Sequence, residues 1–356
     1  MLDDMFTKAK AMEFPRRIIA GHAALEAIPG MCREFQLDGT ALVVTGPATR
    51  VVAGQLVADM LVDAAYEVDV IEVGQADDEA VAKVKRRVNE VDPEYLVGVG
   101  GGSKIDVAKL AAFQTGCPFI SVPTSAAHDG IASPRASIRS GESSDIMSFT
   151  ASVPMGVVAD TSIIIKSPWR LLAAGCADVI SNTTAVMDWQ LAHRLKHEEY
   201  STSAATLSKM VASVIIENAS HIKPTLEESA WIMIKPVLVS GVSMSIAGTS
   251  RPSSGSEHMF SHAIDQVAPG RALHGEQCGV GTILSMALHG GDWQRIRHAL
   301  KTIGCPTSAK GLNISRDELL EAMTTAHAIR DRYTILGESG ITERAAERIA
   351  VMTKVL

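Results

Sequence analysis

An apolar run, Tyr95-Leu96-Val97-Gly98-Val99, passes without a polar break into Gly100-Gly101-Gly102, and a helical stretch follows over 105–113. A strand that is apolar at every position is buried on both faces, which is the habit of parallel sheets covered by helices. Glycines at such a turn let backbone N–H groups approach an anion with no Cβ in the way, and the helix N-terminus adds its dipole. The arrangement suits a nucleotide phosphate. It is not the Gly-x-Gly-x-x-Gly fingerprint, and a tight turn with no ligand is the plainer alternative.

The same alternation runs through the whole first half. Strands are predicted over 17–21, 41–46, 67–73, 95–100 and 118–123, with helices over 51–65 and 77–89 between them. Past Asp160 the texture changes to long amphipathic segments over 178–197, 204–219, 226–247 and 316–335. A chain of 356 residues is long enough for two cores sharing a cleft. The expected fold class is therefore α/β. A Rossmann-like parallel-sheet domain would span 1–165, and an all-helical domain carrying metal and substrate would span 166–356.

Bulk properties narrow the partners. The net charge of −7 offers no attraction to nucleic acid or to an anionic membrane. Five cysteines stand singly with no Cys-x-x-Cys pair, as expected of reduced thiols in the cytoplasm. The start, Met1-Leu2-Asp3-Asp4, is acidic and lacks the order of a signal peptide. No apolar run reaches the roughly 20 residues of a membrane helix, and 152–159 and 161–165 are only strand-sized. A cytoplasmic protein without membrane insertion is expected.

Three separated stretches offer metal donors: Gly175-Cys176-Ala177-Asp178, the segment holding His258 and His262, and Leu273-His274-Gly275-Glu276. His258 and His262 stand four apart, so on a helix they share a face. Local spacing alone would make them a ligand pair or, more commonly, a half-buried helix face. Asp178 and His274 strengthen the metal reading, because one Asp and two His match the three protein donors of catalytic zinc. Glu257 and Glu276 would support those ligands from behind. Pro123-Thr124-Ser125-Ala126-Ala127-His128-Asp129-Gly130 follows a strand, where open α/β sheets bind ligands. Asp129 there is either a turn former or a substrate contact.

With these residues in place, the chain resembles the sn-glycerol-1-phosphate dehydrogenase family. The resemblance rests on Gly-Gly-Gly-Ser-Lys-Ile-Asp at 100–106, the Pro-Thr-Ser-Ala-Ala-His-Asp-Gly loop, Gly-Cys-Ala-Asp-Val-Ile-Ser-Asn at 175–182, Ser-Gly-Ser-Glu-His-Met-Phe-Ser-His-Ala at 254–263 and Leu-His-Gly-Glu-Gln at 273–277. It implies reduction of dihydroxyacetone phosphate to sn-glycerol 1-phosphate with NAD or NADP and one zinc ion per subunit, for archaeal-type phospholipids. It further implies a homo-oligomer.

Carried over by position, the ligands would be Asp178, His258 and His274, so that His262 moves to the substrate beside Asp129 and Asp178. Cofactor contacts would be Gly102, Ser103, Lys104, Ile105 and Asp106, then Thr124, Ser125, Ala126, Ala127 and Ser133. Related iron-dependent alcohol dehydrogenases carry a His four residues after the ligand Asp, where this chain has Asn182. A three-ligand site favours zinc over iron and leaves nickel open. The substrate phosphate has no assigned partner, with Arg135, Arg251 and Lys209 as candidates. The alternatives are a relative acting on unphosphorylated glycerol and a non-catalytic homologue.

Overall fold

The computed structural model describes residues 11–141 and 145–356, so the acidic start Met1–Asp4 lies outside the described residues. Six strands form one parallel sheet: β1 (Arg17–Gly21), β2 (Ala41–Thr45), β3 (Val68–Glu72), β4 (Tyr95–Gly100), β5 (Phe119–Pro123) and, after a hairpin, β8 (Gly156–Asp160). Their order is β1-β8-β5-β4-β2-β3, and each neighbouring pair runs parallel. The hairpin between β5 and β8 is the antiparallel pair β6 (Arg135–Ser140) and β7 (Asp145–Thr150).

Side-chain alternation builds a core on each face of the sheet. Val43, Val97, Ile120 and Val158 meet Ile28, Val57 and Leu61 on one side. Leu42, Val44, Leu96 and Phe119 meet Val81, Val84, Ile105 and Ala108 on the other. Strands β2, β4, β5 and β8 are buried at every position, which is why they read as continuous apolar runs. The chain leaves β2 toward β3 on one side and leaves β4 toward β5 on the other. The C-terminal ends of β2 and β4 therefore flank a topological switch point, the place where open α/β sheets form a ligand crevice.

Every strand among the described residues lies before Thr161, and the rest is helical. Helices Trp169–Lys196, Thr202–Glu217, Glu227–Ala247, Ser256–Val267 and His274–Leu288 surround a third core that includes Val179, Ile180, Val211, Ile234, Ile264 and Ile283.

Several expectations need correction. Thr161–Ile164, which no expectation covered, is a helical turn, because the Asp160 carboxylate accepts from the Ser162 N–H and caps it. The β6–β7 hairpin was not expected, since only Ala136 and Ile138 of β6 are buried and the apolar signal is thin. The helix expected from 178 begins at Trp169, placing Gly175 and Asp178 inside it. The segment 316–335 is helical only to Thr325. Beyond a short turn at Ala326–Ala328 the chain leaves the helix, as Arg332 donates to Ser254 O and Ser250 Oγ and the Ile335 N–H donates to Asp188 Oδ1. Finally, Glu227–Ala247 is long and apolar enough to cross a membrane by length and composition, contrary to the sequence expectation. It is 67% buried over its apolar window and contributes Met233, Ile234 and Val237 to the core, so its apolarity serves packing.

Candidate active site

A cleft of about 640 Å³ opens beside the Gly-rich turn and runs to the helices that carry the donor residues. Ser103, Lys104, Asp106, Asp129, Ser133, Asp178, His258, His262 and His274 all line it. At its sheet end the helix Gly102–Thr115 starts from Gly101 with no side-chain cap, leaving its N-terminal dipole open to an anion. A Cβ on Gly102 would fall on the His128 ring, and one on Gly46, at the end of β2, would fall on the Lys104 side chain. Bare backbone here is what keeps the cradle open.

The other expected cofactor positions divide by what their side chains do. Ile105 and Ala126 face the cores, so only their backbone is available to a ligand. Thr124 is buried and Ala127 half-buried. Ser125 is buried with its Oγ unpartnered, and a Cβ on Gly101 would lie 3.3 Å from that oxygen. A buried hydroxyl without a partner beside a glycine turn is a donor kept for something not yet in place. Asp106 touches the cleft but is largely committed to the fold: Oδ1 accepts from Lys109 Nζ at 3.3 Å and Oδ2 from the Ser137 N–H at 3.1 Å.

At the helical end, Asp178, His258, His274 and Cys278 bring one donor atom each within 4.8 Å of one another. Asp178 Oδ1 lies 3.5 Å from His258 Nε2 and 3.7 Å from His274 Nε2, and it is buried without a hydrogen-bond partner. The surrounding bonds set both imidazole tautomers. His258 Nδ1 is 3.0 Å from Glu257 Oε1, an acceptor, so Nδ1 carries the proton. Ser261 Oγ gives its only proton to Gln277 Oε1 at 2.6 Å, so it accepts from His274 Nδ1 at 3.0 Å. Both Nε2 lone pairs are thereby left for a cation, the arrangement that supporting partners impose on metal-bound histidines.

Electrostatics agree with this assignment. Burial pushes His258 down to about 3 and His274 well below the ordinary range, so both rings are neutral. Burial, with the Asp129 charge, pushes the Asp178 carboxyl up. A buried carboxylate facing two neutral imidazoles lacks a positive charge, and a divalent cation supplies one. The residues fit the metal that the resemblance implies.

Cys278 was missed, although it stands one helical turn after His274. Its Sγ is 3.5 Å from Nε2 and 3.9 Å from Nδ1 of that ring, so it lies against the ring face and off the lone-pair axis. Burial pushes its thiol up, and it walls the metal space as a neutral group. Glu257 supports His258 as expected. Glu276 does not support a ligand: its carboxylate takes the Leu273 N–H and both arms of Arg170.

Asn182 occupies the turn after Asp178 and donates to Ser240 Oγ at 2.9 Å. Ser240 Oγ in turn donates to Asp129 Oδ2 at 2.8 Å, which fixes Asp129 in the cleft wall. His262 does not share the metal donors' focus. Its Nε2 is 2.8 Å from the Arg330 guanidinium, which can only donate, so His262 is neutral with its proton on Nδ1. Among the phosphate candidates, Lys209 is exposed on a remote helix and Arg251 is paired with Glu198. Arg135 lines the cleft, but its guanidinium is engaged by Ser148 and Thr150 of β7.

A parallel sheet with a glycine cradle at its switch point, joined to a helical half with a buried Asp-His-His group, defines the class: the fold of iron-containing alcohol dehydrogenases. The family model described as iron-containing alcohol dehydrogenase matches residues 19–168. Among solved structures, glycerol dehydrogenase from Schizosaccharomyces pombe is similar with a TM-score of 0.79 at 18% identity, covering 98% of this chain and 92% of that one. A sulfoacetaldehyde reductase from Bifidobacterium kashiwanohense, solved with NAD+, reaches 0.75 at 17% identity, covering 97% and 99%.

Sequence relatives are much nearer. Glycerol-1-phosphate dehydrogenase [NAD(P)+] of Methanothermobacter thermautotrophicus is 54% identical over 349 residues, covering 98% of this chain and 99% of the relative. The same enzyme of Halobacterium salinarum is 48% identical over 355 residues, covering 99% and 100%. The chain belongs to the glycerol-1-phosphate dehydrogenase [NAD(P)+] family.

Proposed function

We propose that this enzyme reduces dihydroxyacetone phosphate to sn-glycerol 1-phosphate, with NADH or NADPH as hydride donor and one zinc ion per chain. The observation that carries the reading is the unpartnered Asp178 Oδ1 between two neutral, correctly tautomeric imidazoles, in the same cleft as the uncapped Gly102–Thr115 helix. Residues 1–165 would serve the dinucleotide and 166–356 the metal and substrate.

Asp178, His258 and His274 would hold the zinc ion, which supplies Lewis-acid polarisation of the C2 carbonyl. Gly102, Ser103 and the Ser125 hydroxyl would hold the phosphates of the dinucleotide, which would supply a hydride to C2. The chain's own residues then orient the substrate, and the proton that completes the alcohol comes from solvent. Asp129, fixed through Ser240, accepts from a substrate hydroxyl. His262 keeps its remaining proton on Nδ1 and donates it as a hydrogen bond to a substrate oxygen. Glu257 and Ser261 hold the ligand rings in register, so the metal donors need no rearrangement on substrate arrival.

The five cysteines are all free, in keeping with a cytoplasmic enzyme. A homo-oligomer without membrane insertion belongs to the same reading. The direct test is turnover of dihydroxyacetone phosphate against dihydroxyacetone with each cofactor, before and after metal removal. Metal-dependent turnover that favours the phosphorylated substrate supports the reading, and equal turnover of both substrates contradicts it.

A further inference from the structure

Arg330 sits in the cleft wall with His262, His274, Asp129 and Asp178, on the stretch that leaves the helix after Thr325. Its side chain donates from Nη2 to His262 Nε2, a neutral acceptor. Among the described residues no carboxylate forms an ion pair with it, whereas Arg87, Arg170 and Arg251 each have one. Two cations, Arg135 and Arg332, repel it, the latter with its own guanidinium on Ser254 O and Ser250 Oγ. Burial pushes the Arg330 guanidinium down from its ordinary value, as it must for a desolvated cation that lacks a counter-charge.

We propose that Arg330 anchors the phosphate of the substrate and sets the preference for a phosphorylated over an unphosphorylated triose. This rests on the function proposed above and assigns the phosphate contact within it. Position supports the role: the His262 and His274 ring centroids are 5.7 Å apart, so Arg330 stands one imidazole beyond the metal donors. That is a reach suited to a phosphomonoester one carbon away from a carbonyl at the metal. Three other cations line the cleft: Lys104, bonded to Gly74 O and Ser103 Oγ at the dinucleotide end, and Arg135 and Arg139 on β6. A planar guanidinium with unused N–H groups is the better match to a dianionic phosphate, which it can grip through two parallel bonds.

The experiment uses the full-length, zinc-loaded enzyme and its Arg330→Gln and Arg330→Lys variants. The quantity read is the ratio of kcat/KM for dihydroxyacetone phosphate to that for dihydroxyacetone, because general damage lowers both terms together. Loss of a charge-assisted bidentate bond predicts a fall of about 100-fold in Arg330→Gln and about 10-fold in Arg330→Lys, which keeps a point charge. Competitive inhibition by inorganic phosphate weakens in the same order. A ratio within about threefold of wild type in both variants, with inorganic phosphate still competing, overturns the anchor alone. A wild-type enzyme with no preference for the phosphorylated substrate overturns the proposed function and the anchor with it. Arg330→Lys decides the matter if Arg330→Gln fails to fold.

Discussion

The backbone N–H of Asp129 points at Asp178 Oδ2 across 3.4 Å, joining the loop after β5 to the long helix Trp169–Lys196. This contact crosses from the sheet half to the helical half at the middle of the cleft. It occupies one oxygen of Asp178 and leaves the other, Oδ1, aimed at His258 and His274. Asp129 is itself held by Ser240, so substrate loop and metal ligand share one framework. Preorganisation of this kind lets a carbonyl be bound and polarised without moving the donors.

Replacing Asp178 with Asn, or His258 or His274 with Ala, should lower bound zinc from one ion per chain to less than about a tenth under dialysis, since three protein donors leave no spare. His262→Ala should retain the metal and lose turnover, because its Nε2 faces Arg330. Metal analysis by mass spectrometry checks both. NADH binding, followed by fluorescence, should persist in all four variants. Loss of zinc in His262→Ala would return that residue to the ligand set.

Gly175 and Gly275 are positions where backbone meets backbone. A Cβ on Gly175 would overlap the Ala126 carbonyl, and one on Gly275 the Ala174 carbonyl. Carbonyls of packed elements cannot swing aside, so Gly175→Ala should cost about 3 kcal/mol in denaturant unfolding, at the upper end of overpacking effects. The same substitution at Gly30, which lies within a helix and would meet nothing within 4 Å, should be neutral or stabilising.

Lys109 is fully buried, with Nζ bonded to Asp106 Oδ1, Gly130 O and Arg135 O. It fastens the loop that carries Asp129 and the start of β6 to the helix Gly102–Thr115. Lys109→Met keeps the bulk and leaves a buried carboxylate and two carbonyls without their cation. About 3–5 kcal/mol of stability should be lost, as when one member of a buried ion pair is removed. KM for dihydroxyacetone phosphate should rise as the Asp129 loop loosens. Chemical denaturation and steady-state kinetics check the two effects.

The sequence spoke most clearly where structure is local. The run Tyr95–Gly100 and its glycines read as a buried strand and a turn into a helix, and the structure has both there. The spacing of His258 and His262 suggested a shared focus, but a helix face is wider than a metal site. Rings 5.7 Å and 4.9 Å from His274 are turned to different tasks by Arg330 and Glu257. Cys278 was legible at helical spacing from His274 and was passed over. Arg330 carried no local signal. It is one of many charges in a segment read as helix, and its place in the cleft wall comes from the irregular path between Ala328 and Ile335 and from His262, far away in sequence. The β6–β7 hairpin, with two buried apolar residues in β6, lay below the threshold of any pattern.

The central claim is a specific reduction at a metal held by Asp178, His258 and His274. Its most direct test is to reduce dihydroxyacetone phosphate with the zinc-loaded enzyme and resolve the product by a chiral assay. The account predicts sn-glycerol 1-phosphate alone, formed only while the metal is bound. Formation of sn-glycerol 3-phosphate, a mixture of both, or undiminished turnover after the metal is stripped would contradict it.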